Sequence, residues 1–178
     1  MQTDDNRNVL DEFKGKPAEE IVTELDARGV SLEIAIENLE RDFNMGTIVR
    51  SANAFGVRHV HVVGRKQWNK RGAMMTDKYL NVHYYATIDE FIEAMKLANK
   101  TVVAIENNVK SVPLGSAKLT KNTALLFGSE GSGISEELLS KVDKVVHIEQ
   151  LGSTRSLNVG VAAGIAMYEW LRQNKIQA

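Results

Sequence analysis

The chain has 178 residues, 43 % of them apolar, with a formal net charge of −1 and no cysteine. That length and apolar share suit one compact core, and the missing cysteines exclude disulfides, thiolate metal sites and cysteine nucleophiles. The acidic start MQTDDNRNVLDEF is unlike a secretory signal and no run reaches the roughly 18 apolar residues of a membrane span, so a cytoplasmic, unprocessed protein with no membrane partner is expected.

PAEEIVTELDARG opens with proline and acids and closes with arginine and glycine, which predicts a helix over 17–28. It belongs to an acidic N-terminal appendage over 1–30; residues 1–42 carry twelve acids against five bases. SLEIAIENL alternates and predicts a strand over 32–37, and GTIVRSANAFG predicts a helix from near Gly46 to Gly56. RHVHVVG and VHYYA read as strands, IDEFIEAMKLANK as a helix, and TVVAIE as a strand. NTALLFG and KVVHIE are further strands around the short helix SEELLSKV, and LNVGVAAGIAMYEWLRQNK is a long last helix. The alternation, with nearly all-apolar strands, predicts an α/β fold: a mostly parallel sheet with helices on both faces, over 31–178.

One segment stands apart in charge. Between 58 and 78 there are six bases, Arg58, Arg65, Lys66, Lys70, Arg71 and Lys78, against Asp77, interleaved with His59, His61 and Trp68. It has the composition to grip a polyanion, and equally that of a solvated loop.

In open parallel sheets, ligands sit beyond the carboxyl ends of the strands. That rule selects the loops at 38–46, 128–135 and 149–158. GSEGSGIS fits neither the Walker pattern nor the dinucleotide fingerprint, which disfavours a nucleoside-triphosphate or nicotinamide enzyme. Asn44 lies ahead of the helix expected from Gly46, and Arg50 shares a helix face with Gly46, Thr47, Asn53 and Ala54 rather than with the apolar residues. Ser156 is placed to cap the last helix, which leaves Asn158 and the small residues Gly160, Ala163, Gly164 and Ala166 to be explained by something packed against the helix start.

NLERDFNMGTIVRSANAFGV, ALLFGSEGSGIS and VVHIEQLGSTRSLNVGVAAGIAMYEW together resemble the three motifs of the SpoU/TrmH class of SPOUT RNA ribose methyltransferases, over about residues 32–172. The sequence departs from the usual pattern at Glu149, where proline is common, and at Gly160, where serine is. The resemblance implies a SPOUT fold with a deep C-terminal trefoil knot, a homodimer, and S-adenosylmethionine as cofactor. It implies 2′-O-methylation of a structured RNA, tRNA favoured over rRNA. By position, Gly128, Ile148 and Leu157 would contact the cofactor. Arg50, Asn44, Glu130, Ser156 and Asn158 would be catalytic: Arg50 stabilises the developing alkoxide and clamps a phosphate, Asn44 orients, Glu130 fixes Arg50 or the RNA, and Ser156 and Asn158 shape the pocket. Two other readings stand beside it: a SPOUT-fold RNA-binding module without catalysis, and an unrelated doubly wound enzyme using a nucleotide.

Overall fold

The computed structural model describes residues 5–38, 44–108 and 110–176. In chain order its regular elements are α1 (Ala18–Arg28), β1 (Glu33–Asn38), α2 (Asn44–Ala54), β2 (His59–Gly64), β3 (Asn81–Tyr85) and α3 (Ile88–Leu97). There follow β4 (Thr101–Ile105), β5 (Val112–Pro113), β6 (Thr123–Phe127), α4 (Glu136–Leu139), β7 (Lys144–His147) and α5 (Val159–Leu171), which runs into a π-helical turn at Arg172–Ile176.

Every strand pair is parallel, and the sheet order is β3-β2-β1-β6-β4-β7-β5. The strands are apolar on both faces because both faces are covered. Ile34, Ile36, Leu125 and Phe127 enter a core with Met45, Ile48 and Val49 of α2 and Ala163, Met167 and Trp170 of α5. The alternate residues Ala35, Ala124 and Leu126 enter a second core with Phe91, Ile92 and Met95 of α3 and with Leu138. A capping box, Thr87 with Glu90, starts α3.

Close packing sets α2 against α5. A Cβ at Gly160 would lie 3.1 Å from Thr47 Cγ2, and one at Gly46 would lie 2.7 Å from the backbone nitrogen of Ala73. Glycine at these positions lets α2 approach both α5 and the 71–73 turn. The N-terminal region packs through a third cluster, Phe13, Ile21 and Tyr79. Among the described residues, no helix is long and apolar enough to cross a membrane.

Several boundaries differ from the sequence reading. Helix α2 begins at Asn44, so this residue lies inside the first turn rather than ahead of it. Residues 39–43 of the expected 38–46 loop lie outside the described residues, as do 1–4 of the appendage. The two-residue strand β5 carries no periodic signal and was not expected. Arg58 and His61 are buried, so they leave the basic surface. Arg58, just ahead of β2, has its Nε donating to Asp26 Oδ1 at 2.7 Å and its Nη2 to the Tyr79 carbonyl at 2.6 Å, and His61 within β2 bonds Glu33 and Tyr85.

Candidate active site

The carboxyl ends of β4 and β6 and the start of α5 enclose a cleft of about 470 Å³. Its floor is the loop after β6. Ser129 and Gly133 exchange backbone hydrogen bonds of 3.1 and 2.9 Å, closing the loop on itself. A side chain at Gly128 would fall into the backbone of Gly133 and Ile134, so glycine is required there by the loop's own closure. Gly133 has φ +68°, and a Cβ on it would lie 2.7 Å from Glu106 Oε2.

Three polar side chains from separate parts of the sequence meet at this cleft. Asn158 Nδ2 donates to Glu130 Oε1 at 2.8 Å and to Asn44 Oδ1 at 3.0 Å, and Asn44 Nδ2 donates to Glu130 Oε2. Asn158 Oδ1 accepts from the backbone of Gly160 (3.0 Å) and Val161 (3.3 Å), which makes Asn158 the N-cap of α5 in place of Ser156. The two roles fix one another: an amide whose oxygen caps the helix must turn its NH₂ toward the carboxylate. Arg155, Ser156 and Leu157 line the cleft on an exposed segment. Asn107 Nδ2 donates to the Arg155 carbonyl at 3.3 Å and holds that segment to the end of β4.

Two carboxylates that sequence reasoning passed over hold the frame. Glu106 lines the cleft and accepts from the backbone of Ile134 and of Asn107, each at 3.1 Å. Glu37 is buried at the end of β1 and accepts from Ser135 N at 2.7 Å and Ser135 Oγ at 2.6 Å, tying β1 to the start of α4. A carboxylate inside an apolar strand must find partners, which is the signal that points to Glu37. For Glu106 the signal was its place just past a strand's carboxyl end.

Of the residues expected to contact a cofactor, Gly128 and Leu157 line the cleft and Ile148 does not; it packs half-buried against the first core. Arg50 also stands apart. It is exposed on α2, and six residues of helix carry it about 9 Å along and about 120° round from Asn44. It borders a different cavity, against the N-terminal region.

Comparison with known proteins places this architecture. A tRNA (guanosine(18)-2′-O)-methyltransferase from Thermus thermophilus is 34 % identical over 154 residues, covering 84 % of this chain and 78 % of that one. The crystal structure of the A. aeolicus TrmH/SpoU tRNA modifying enzyme superposes with a TM-score of 0.78 at 27 % identity, over 90 % of this chain and 83 % of that one. An AdoMet-bound rRNA methyltransferase from Sinorhizobium meliloti gives 0.71 at 27 % identity, over 80 % of this chain and 56 % of that one. The profile described as the SpoU rRNA Methylase family matches residues 31–168, which include the glycine loop and the Asn44–Glu130–Asn158 cluster, and the chain belongs to that family.

Proposed function

We propose that the protein transfers a methyl group from S-adenosylmethionine to a ribose 2′-hydroxyl of tRNA, working as a homodimer whose catalytic unit is 31–178. The observation that carries this reading is the Asn44–Glu130–Asn158 triangle at the mouth of a glycine-walled cleft. Family membership makes the activity methyl transfer to RNA. The tRNA preference is supported by the tRNA enzymes named above, one the more identical relative and the other the better superposition.

The residues of the cleft suit the cofactor. A volume of about 470 Å³ falls in the small-molecule range. Ile105, Leu157, Val159 and Ala162 offer apolar surface for a flat ring, the glycine loop offers backbone groups, and Glu106 offers a carboxylate for a hydroxyl or ammonium donor. When bound, S-adenosylmethionine supplies a methyl group activated by its sulfonium. Leu157, Gly128 and the loop around them would hold it, while Ile148 supports the loop from beneath.

Displacement at that methyl needs the ribose oxygen aligned and its growing negative charge stabilised. Asn44 and Asn158, pinned by Glu130 and by the α5 cap, would orient the ribose without reorganising during reaction. Glu130 is then the anchor of the two amides, and Ser156 shapes the wall. Arg50 would stabilise the alkoxide and clamp the adjacent phosphate, its guanidinium being permanently charged. Since Arg50 does not line its own cleft, it would serve the cleft of a second copy. The stripe Val161, Ile165 and Tyr168 on α5, 54 %, 39 % and 53 % exposed, supports an apolar dimer face beside it. The position of β7 between β4 and β5 supports the trefoil threading of the C-terminal segment.

Transfer of labelled methyl from S-adenosylmethionine to tRNA and rRNA transcripts, with mass-spectrometric mapping of the product ribose, tests the proposal. A single 2′-O-methyl in tRNA is the expected product; a methylated base, or no transfer to any RNA, would overturn it.

A further inference from the structure

The cavity bordered by Arg50 has a volume of about 390 Å³ and shares no residue with the cleft. Phe13, Ile21 and Leu25 are among its apolar walls, and Arg50, Asn53, Ala54 and Tyr79 also line it. Phe13, Ile21 and Leu25 precede residue 31, where the family match begins. The cavity therefore lies between the N-terminal region and the segment that the family profile matches.

Its frame is braced in advance. Arg7 is locked to Asp5 at 2.8 and 3.0 Å and donates to the Lys16 carbonyl at 2.9 Å, which fixes the 5–16 segment. Arg58 joins Asp26 of α1 to the carbonyl of Tyr79. Two groups on α2 are left with unused capacity. The exposed guanidinium of Arg50 makes no hydrogen bond or ion pair among the described residues. Asn53 Oδ1 is buried and has no donor. A fixed cation, an amide able to read a hydrogen-bonding edge, and walls carrying two aromatic rings are together the chemistry that receives a phosphate and a splayed base.

We infer that this cavity takes the base of an RNA nucleotide next to the one methylated, with Arg50 on the phosphate between them and the Asn53 side-chain amide hydrogen-bonding the edge of the base. The inference rests on the proposed function, because it makes Arg50 the link between cavity and reaction. It gives the N-terminal region a role despite its acidity: the base is gripped by shape and one amide, and the single cation stands where the phosphate passes. The ligand is a nucleotide of the substrate, and the cavity would select the sequence context of the methylated ribose.

Two variants test it in the full chain: Asn53→Ala, and Ala54→Trp, which fills the cavity from an exposed position on α2. Each should raise KM for RNA at least about tenfold, the loss of one held base, with kcat within about twofold and cofactor affinity unchanged. In parallel, the four nucleoside 5′-monophosphates are titrated into isotope-labelled protein. At least one should shift the Asn53 side-chain amide resonance, and Ala54→Trp should abolish the shift. No shift from any monophosphate, or an unchanged KM in both variants, would overturn the inference. Should the protein methylate no RNA at all, the proposed function falls, while the monophosphate titration still decides whether the cavity is a nucleotide site.

Discussion

At the amino ends of the strands, Glu33 takes the Nε2 hydrogen of His61 at 2.7 Å and the ammonium of Lys100 at 2.8 Å, while His59 and His83 lie 3.0 Å apart and stack. At the carboxyl ends, Glu130 is likewise held by two side chains, yet it and Asn158 remain exposed at the mouth of a cleft. Both clusters centre on a carboxylate that accepts from neighbouring side chains, and they differ in their exposure. In the first, the partners are largely buried and the hydrogen bonds are spent on one another, so the cluster contributes to stability. In the second, the same kind of bonds is made by side chains at the surface of a cleft, which suits the proposed positioning of a ligand. The difference teaches that burial, more than residue type, decides whether a carboxylate network is structural or functional.

The largest effect should come from the functional end. Arg50→Ala removes the cation proposed to act on the reacting oxygen, which makes no hydrogen bond or ion pair among the described residues. Single-turnover methyl transfer should fall by about 10²–10³-fold, as for loss of one preorganised charge-stabilising donor. Cofactor affinity by calorimetry should stay within a few fold and the melting temperature nearly unchanged. Simultaneous loss of activity, affinity and stability would place Arg50 with the structural end instead.

Asn158→Asp separates the two duties of one residue. The carboxylate still caps α5, so stability should drop by less than the ~1 kcal/mol of a lost cap. It can no longer donate to Glu130, and it places a second negative charge beside it. Methyl transfer should fall by roughly 10²-fold with folding little affected, as read by paired melting and rate measurements. An active Asn158→Asp enzyme would show that the triangle is not what positions the ribose.

The alternation of strands and helices was legible because the strands are buried on both faces and read as near-continuous apolar runs. That the loops at 128–135 and 149–158 meet at one cleft was legible because in a parallel sheet such loops share the carboxyl end; residues 39–43 of the third loop lie outside the described residues. What escaped was whatever tertiary packing decides. Arg58 and His61 count as basic surface in the sequence, and their neighbours in the fold bury them. Ser156 and Asn158 are both good caps two residues apart, and only the position of Glu130 selects Asn158. Glu106 looks like a solvated residue after a strand until the fold sets it beneath Gly133. The separation of Arg50 from Asn44 follows from helix geometry, but that Arg50 borders a different cavity from the cleft is visible only in three dimensions.

The structural end predicts a stability effect with no catalytic one. Glu33→Gln removes the carboxylate that the His61 imidazole and the Lys100 ammonium share, and it should cost about 2–3 kcal/mol, less than a fully buried pair because Lys100 keeps the Ser31 carbonyl at 2.8 Å. Acid should act on the same cluster. Burial pushes the Glu33 carboxyl up, but the bonds and charges of His61 and Lys100 outweigh it and hold it at about 2, below the ordinary 4.5. Burial, with the neighbouring imidazoles, lowers His59 and His83 below 6.5. For each group the unfolded chain binds the proton more readily, so stability is present above the unfolded value and lost as pH falls. Melting temperature should therefore drop as pH falls through about 6.5, and again between about 4.5 and 2, with the lower step smaller in Glu33→Gln, where other salt-bridged carboxyls such as Asp5 and Glu169 still contribute. A flat melting profile between pH 8 and 5 would mean that the imidazoles do not carry the first step.

The smallest effects should lie on the basic loop beside the functional end. Asn38 Nδ2 donates to the Arg65 carbonyl at 2.5 Å and the Gln67 carbonyl at 3.1 Å, and the 71–73 turn packs on Gly46, so this loop is anchored next to the Asn44 end of α2. Its cations are unequal: Lys70 is paired with Asp77 at 2.8 Å, whereas Arg65, Lys66 and Arg71 have no carboxylate partner among the described residues. Replacing Arg65, Lys66 and Arg71 by alanine should weaken binding to all RNAs alike and lower the logarithmic salt slope by about 0.7–0.9 for each phosphate no longer neutralised. Lys70→Ala alone should change the slope less, because its charge is already offset. Sequence preference should persist, since phosphate contacts position while base contacts specify. If the triple variant keeps both affinity and slope, the loop is a solvated surface. The polyanion must then be gripped on the second copy or by the N-terminal cavity, and the functional end extends no further than the cleft and Arg50.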